Sequence, residues 1–410
     1  MLSSTLFYVF IGIITLSFLV NKMIDRLNAK HFDDEIPKEL KDVYQEDDYK
    51  KSQAYKKTNY RFGNISSLVS FSGTLIFFFL DGFEFIDNFA RSLSNNAIVV
   101  ALIFFGIILI ASTILTLPFS YYNTFVIEER FGFNKATKKL FLLDKMKGFF
   151  ITAVLGGGIL SLIIWFYQLT GKNFWLYAWG LVTLFSIFMN MFYSKLIVPL
   201  FNKQTPLEDG ELKQSITQYA KTVGFTIDNI FVIDGSKRST KANAYFSGFG
   251  AQKRVTLYDT LIHDLDEEEI VAVLAHEVGH YKRKHIIFNL ISSILMTGLT
   301  FFLLSLFINY PILSGALGVN IHSFHVGFIA FGILYSPISE FLGLMMNSIS
   351  RAFEYQADNY AKETFKAAPL ISSLKKLSKH SLSNLTPHPT YVFVHYSHPT
   401  LLQRVQNLRS

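Results

Sequence analysis

Seven stretches of the chain are long and apolar enough to cross a membrane: Leu2 to Val20, Ile65 to Phe85, Ala97 to Phe119, Phe149 to Tyr167, Phe174 to Leu196, Ile286 to Ile308 and Phe324 to Met346. A crossing helix needs about 20 mostly apolar residues, because away from water it must satisfy its own backbone polar groups. Half of the 410 residues are hydrophobic, only 17% are charged and 42 are Phe, which excludes an ordinary soluble domain and predicts a mainly α, multi-pass membrane protein.

The charges between these stretches set a topology. Lys22, Arg26, Lys30, Lys38 and Lys41 follow the first run, and Arg130, Lys135, Lys138 and Lys139 follow the third. The alternate loops offer only Arg91, only Lys172, and no Lys or Arg between Asn309 and Ser323. Cytoplasmic loops carry the excess of Lys and Arg, so seven crossings are expected, with the N-terminus outside and the C-terminus inside. The first run has no basic start and no small-residue cleavage site, and reads as an uncleaved anchor. The net charge of +7 is spread over loops rather than along one face, so no nucleic-acid partner is expected.

Two regions follow: residues 1–200, with five spans and their loops, and residues 201–410, with spans six and seven and the C-terminal segment. The long polar segments Phe201 to His285 and Asn347 to Ser410 fall on the same side and can form one site. In the first of them, Glu211 to Val223 predicts a helix, and Asn229 to Ile233 and Arg254 to Tyr258 predict short strands. Between these strands lies Asn243-Ala244-Tyr245-Phe246-Ser247-Gly248, and the strand Arg254 to Tyr258 is expected to offer an edge to an extended peptide. Asn190, His325, Pro337 and Glu340 lie inside apolar runs, where polar groups are tolerated only against protein or a water-filled cavity.

The chain has no cysteine, so a metal must be held by His, Asp or Glu. A helix starting near Asp264 or Asp266, with Asp266 and Glu269 spaced as a capping box, ends in Lys282-Arg283-Lys284 and contains His276-Glu277-Val278-Gly279-His280. Residues four apart share a helix face, so His276 and His280 can reach one zinc ion, with Glu277 beside them as general base. A catalytic zinc needs a third protein ligand and an open position. The metzincin spacing would place Gly at 283 and His at 286, where this chain has Arg283 and Ile286. His285 is one residue off and reads as a helix-end cation. Glu354 is the better third ligand, and Asp358, one turn later, suits the carboxylate that accepts the distal N–H of a ligating histidine.

These motifs resemble the CAAX prenyl protease 1 family, the type I CAAX endopeptidases, which are integral-membrane zinc metallopeptidases. The resemblance runs through HEVGH, Glu354 with Asp358, Asn243-Ala244-Tyr245, His398-Pro399 with Arg404, and the stretch from Pro118 through Glu128-Glu129-Arg130-Phe131-Gly132-Phe133 to Asn134. It implies a barrel of seven transmembrane helices enclosing a chamber, with a small α+β zinc metallopeptidase domain at the cytoplasmic end. It also implies one zinc per chain on His276, His280 and Glu354, water activated by Glu277, transition-state support from His398 and Arg404, and Asn243 beside the bound peptide. By themselves His398 and Arg404 read as surface residues.

The partners so implied are a peptide or protein substrate, prenylated or otherwise membrane-associated and cut near its C-terminus, and membrane lipid. The Lys/Asn/Phe/Ile-rich, cysteine-free composition points to a bacterial inner membrane, or to the endoplasmic reticulum if the source is eukaryotic, with the catalytic segments facing the cytoplasm. Two other readings compete. A transporter would use Glu340 and His325 as a pathway but leaves HEVGH and Glu354 unexplained. A membrane quality-control peptidase shares the zinc motif, but by the same resemblance such proteins have about four spans and lack the N-terminal half.

Overall fold

The structure, a computed structural model, describes residues 2–225, 227, 229–247 and 254–410. Gly248, at the end of the Asn243 motif, lies outside the described residues. The membrane half consists of α1 (Leu2–Ala29), α2 (Glu46–Phe79), α3 (Gly82–Leu93), α4 (Ala97–Tyr122), α5 (Lys138–Ile151), α6 (Gly157–Thr170) and α7 (Phe174–Leu196). Among the described residues, six helical stretches are long and apolar enough to cross a membrane. One of them, Lys138–Phe201, spans 64 residues and breaks at Gly171, whose φ of +54° suits glycine, so that α6 and α7 pack side by side.

The second apolar run, expected to reach Phe85, stops at Phe79. Asp81 takes a left-handed conformation (φ 50°), ends α2 and redirects the chain into the amphipathic α3, which buries Phe83, Ile86, Asp87 and Ala90 on one face.

After α8 (Val198–Phe201) comes a sheet flanked by helices: β1 (Gln204–Pro206), α9 (Glu211–Thr222), β2 (Ile230–Ile233), β3 (Ala244–Ser247), β4 (Arg254–Tyr258), α10 (Asp259–Asp264) and α11 (Glu267–Lys282). The chain then runs through α12 (His285–Phe307), α13 (Pro311–Gly315), the 41-residue α14 (Phe324–Thr364), α15 (Ala367–His380), α16 (Pro389–His395) and α17 (Leu401–Arg409). The strand order is β1-β2-β4-β3, with β4 parallel to β2 and antiparallel to β3. This corrects the expectation for Arg254 to Tyr258: β4 is an inner strand, and among the described residues the edges are β1 and β3, the latter beginning one residue after Asn243. One core, including Ile216, Leu257, Leu261, Val271, Leu274 and Val278, joins the sheet to α9 and α11.

The membrane helices form a circuit in which α14 touches α1, α4 and α12, while α6 and α7 connect α4 to α12. Their packing is concentrated at the end away from α11. There Phe10, Phe83, Phe104, Leu317 and Val326 form one cluster, and Ile164, Phe174, Leu304 and Phe331 another. Along α14 no residue between Phe331 and Glu354 is buried, a distance of about 35 Å at 1.5 Å per residue. A helix in a solid bundle buries one face along its length; α14 does so only near its two ends.

Candidate metal centre

Helix α11 is fixed at its start by the Asp266–Glu269 capping box and stops at Arg283, after which Lys284 (φ 61°) turns the chain into α12. It packs against the C-terminal part of α14. A Cβ at Gly279 would lie 3.1 Å from both the Cα and the carbonyl oxygen of Ala357, so any larger residue would have to push the helices a few tenths of an ångström apart. The middle of the motif thus brings His276 and His280 on one helix within reach of Glu354 and Asp358 on the other.

At the junction, Nε2 of His276 and Nε2 of His280 are 3.1 Å apart. Glu354 places Oε1 3.2 Å from His280 Nε2 and Oε2 3.4 Å from His276 Nε2. One ligand atom from each of the three lies within 4.8 Å of the other two. Glu354 is buried, and its Oε2 has no hydrogen-bond partner among the described residues. A buried polar atom without a partner costs about 1–3 kcal/mol, more when charged. Two imidazole nitrogens and a carboxylate converging on one point form a donor set suited to a divalent transition metal, and a cation there would give Oε2 its partner.

Each imidazole is held from behind. Asp358 Oδ1 lies 2.9 Å from His276 Nδ1. Arg404 donates Nε to Asp358 Oδ2 (2.9 Å) and Nη2 to Oδ1 (2.6 Å), while its Nη1 is 3.6 Å from Glu354 Oε2. Burial lowers the pKa of His276, but the facing carboxylates of Asp358 and Glu354 outweigh it and raise the value to about 9. The pocket therefore favours positive charge on this ring, a proton that a bound cation would replace. Behind His280, Nδ1 is 3.0 Å from His285 Nδ1, and His285 Nε2 is 3.1 Å from Gln356 Oε1. With His280 Nε2 turned to the donor cluster, its proton sits on Nδ1 and is donated to His285, which in turn donates Nε2–H to Gln356.

The helix-end reading of His285 is therefore corrected: it is 2% exposed and stacks on Phe353 with ring centroids 4.0 Å apart. Sequence spacing hid it, because the left-handed Lys284 returns a residue five positions along to the same ring cluster. Gly279 was equally unmarked, as nothing local says that a helix will approach there.

The remaining candidates surround a cavity of about 490 Å³, whose lining includes Asn243, Glu277, Leu374, Ser381, His398 and Arg404 beside the three donors. Glu277 is half-buried and has no hydrogen-bond partner among the described residues. His398 has a 61% exposed side chain, with Nε2 3.3 Å from Glu354 Oε1. Asn243 is exposed; its side chain accepts from the Ala244 N–H (2.9 Å) and its carbonyl from the Tyr258 N–H (3.0 Å), which anchors the start of β3 to β4. His325 is not part of this site: its Nε2 pairs with Asp87 Oδ1 at 2.7 Å near the other end of α14. Glu340 accepts from Ser17 Oγ at 2.8 Å.

A multi-helix membrane body joined to a cavity with a His-Glu-x-x-His helix and a distant glutamate defines a membrane metallopeptidase. Residues 25–203 match the family described as CAAX prenyl protease N-terminal, five membrane helices, and residues 206–410 match peptidase family M48. The chain is 36% identical over 404 residues to the CAAX prenyl protease 1 homolog of Dictyostelium discoideum, covering 96% of this chain and 92% of that one. It is 37% identical over 399 residues to the CAAX prenyl protease 1 of Saccharomyces cerevisiae, with 91% and 88% covered. The crystal structure of S. mikatae Ste24p is 34% identical and superposes with a TM-score of 0.94 over 99% of both chains. The chain belongs to the CAAX prenyl protease 1 family of M48 metallopeptidases, and is a mainly helical membrane protein with the Ste24p-like fold.

Proposed function

We propose that this chain is a zinc endopeptidase whose metal is held, one ion per chain, by His276, His280 and Glu354. The observation that carries this reading is the convergence of the buried Glu354 carboxylate, whose Oε2 has no hydrogen-bond partner among the described residues, on the Nε2 atoms of His276 and His280. When bound, zinc supplies a Lewis acid and lowers the pKa of water to near neutrality. The chain's own residues do the rest. Asp358, steadied by Arg404, and His285, steadied by Gln356, fix the tautomers and orientation of the two histidines.

Glu277, free on the cavity wall, takes the proton of the attacking water and passes it to the leaving amine. His398, and Arg404 by its Nη1, present positive or donating groups to the oxyanion that develops at the scissile carbonyl. The peptide lies extended along the open edge of β3, entering beside Asn243.

Seven crossings, with α6 and α7 counted separately, enclose a chamber: the unburied middle of α14, with Pro337 to Glu340 exposed in succession, supports an open interior between the packed helix ends. The peptidase region 201–410 then sits at the cytoplasmic end of the five-span region 1–200, as the charge alternation favours. The substrate follows from the relatives' names: a prenylated or otherwise membrane-associated protein cut near its C-terminus. Composition favours a bacterial inner membrane as the site of action. Trapping proteins on a Glu277→Ala variant in native membranes and identifying them tests this. Captured C-terminal tails of a few proteins support it, and captured misfolded membrane proteins without common termini refute it.

A further inference from the structure

The mechanism leaves a second cluster of ionisable groups unused. Lys241 Nζ donates to Glu128 Oε2 at 2.8 Å and to Tyr55 Oη at 3.2 Å, and Tyr55 Oη donates to Glu128 Oε1 at 2.5 Å. The ammonium also sits 4.3 Å from the centre of the Phe133 ring. Tyr55 is buried, and the side chains of Glu128 and Lys241 are 15% and 38% exposed, so water screens this ion pair only in part. Tyr55 and Glu128 come from the membrane half, whereas Lys241 stands two residues before Asn243.

The backbone repeats the connection. Lys135 N–H donates to the Arg238 carbonyl (3.0 Å) and Thr240 N–H to the Phe133 carbonyl (3.1 Å), with a bridge between Asn134 and Ser239. Thr260 Oγ1 donates to the Lys241 carbonyl at 3.2 Å. Immediately beyond, Ala242, Asn243 and Ala244 line the cavity, and β3 begins. An edge strand has no neighbour on its open side, so its position depends on how the chain enters it. Here the entry is clamped by the segment from Glu128, at the C-terminal end of the helix that continues α4, to Lys135.

We propose that Glu128 is a positioning residue that, through Lys241, holds the entrance to β3 in register with the metal centre and so sets how the substrate peptide lies across it. This rests on reading the cavity beside Asn243 as the substrate cleft. Glu128 touches neither metal donors nor substrate, so its loss moves substrate binding rather than the chemistry.

The test uses the full-length protein in detergent and a fluorogenic peptide with a farnesylated Cys-aliphatic-aliphatic-X tail. Glu128→Gln should raise KM about tenfold, leave kcat within about twofold and leave the metal content unchanged, as expected for the loss of one charge-assisted hydrogen bond outside the reacting atoms. Lys241→Glu should do the same or more, and the exchanged pair Glu128→Lys with Lys241→Glu should recover most of the loss. Asn243→Ala is the control. If it raises KM and Glu128→Gln does not, the proposal is overturned and the cleft reading stands. If Asn243→Ala leaves KM unchanged, the cleft reading fails and takes the proposal with it. A Glu128→Gln variant that loses kcat, metal and thermal stability together, without recovery in the exchanged pair, shows a merely structural role and also overturns the proposal.

Discussion

Helix α14 carries two buried His–carboxylate–Arg clusters, one near each end, and they differ in what they leave undone. Near the start, His325 takes Asp87 Oδ1, Arg91 takes Asp87 Oδ2 at 2.7 Å, and Arg91 also reaches Ser323 at 2.5 Å. Both carboxylate oxygens have partners, and the group is covered by Phe104, 4.7 Å from the His325 ring. Near the other end, Glu354 keeps one oxygen without a hydrogen-bond partner among the described residues, its carboxylate faces two imidazoles, and a cavity opens beside them. A saturated cluster is a staple between helices; an unsaturated one beside a cavity can bind and react. Residue types alone do not separate the two, since the transporter reading draws on His325, with Glu340.

The sharpest break between them is chemical. Glu277→Ala should lower peptide cleavage by about 10³-fold, as removal of a general base does, while metal content stays at the wild-type level. Turnover that survives in this variant removes Glu277 from the mechanism. The staple should fail differently: Asp87→Ala strands His325 and Arg91 and should cost about 3 kcal/mol of stability, seen as a lower melting temperature in detergent with the metal still bound. Metal loss at an unchanged melting temperature would mean that the two clusters are not separate.

Smaller effects probe how the metal centre is held. Asp358→Asn should weaken zinc affinity by about 10- to 100-fold, the usual cost of losing a carboxylate behind a ligating histidine; competition with a chelator reads this directly, and an unchanged affinity would reduce Asp358 to a partner of Arg404. Gly279→Ala should push α11 from α14 and cost about 1–3 kcal/mol, as overpacking does. A melting temperature equal to the wild type would show that the helices can part without strain.

Much of this was legible in the chain. The four-residue spacing of His276 and His280, the capping box at Asp266 and Glu269, and the carboxylate pair Glu354 and Asp358 are local patterns set by the helical repeat. The apolar runs were equally plain, because span length is fixed by the bilayer. What stayed hidden depends on where the chain goes between elements. Strand β3 escapes the sequence pattern because four residues of mixed polarity carry little periodic signal, which leaves β4 as the expected edge. The Arg404 fork joins residues 46 apart, and His285 returns to the site only because Lys284 is left-handed. Hydropathy also cannot tell a face turned to lipid from one turned to an open interior, so the unpacked middle of α14 could be read only from the polar residues within it.

The most direct measurement of the central claim is the metal content of the purified, full-length protein and its His276→Ala variant by elemental analysis. About one zinc per chain in the wild type and little in the variant is the result predicted by a His276–His280–Glu354 centre; a variant that retains its full complement would contradict it.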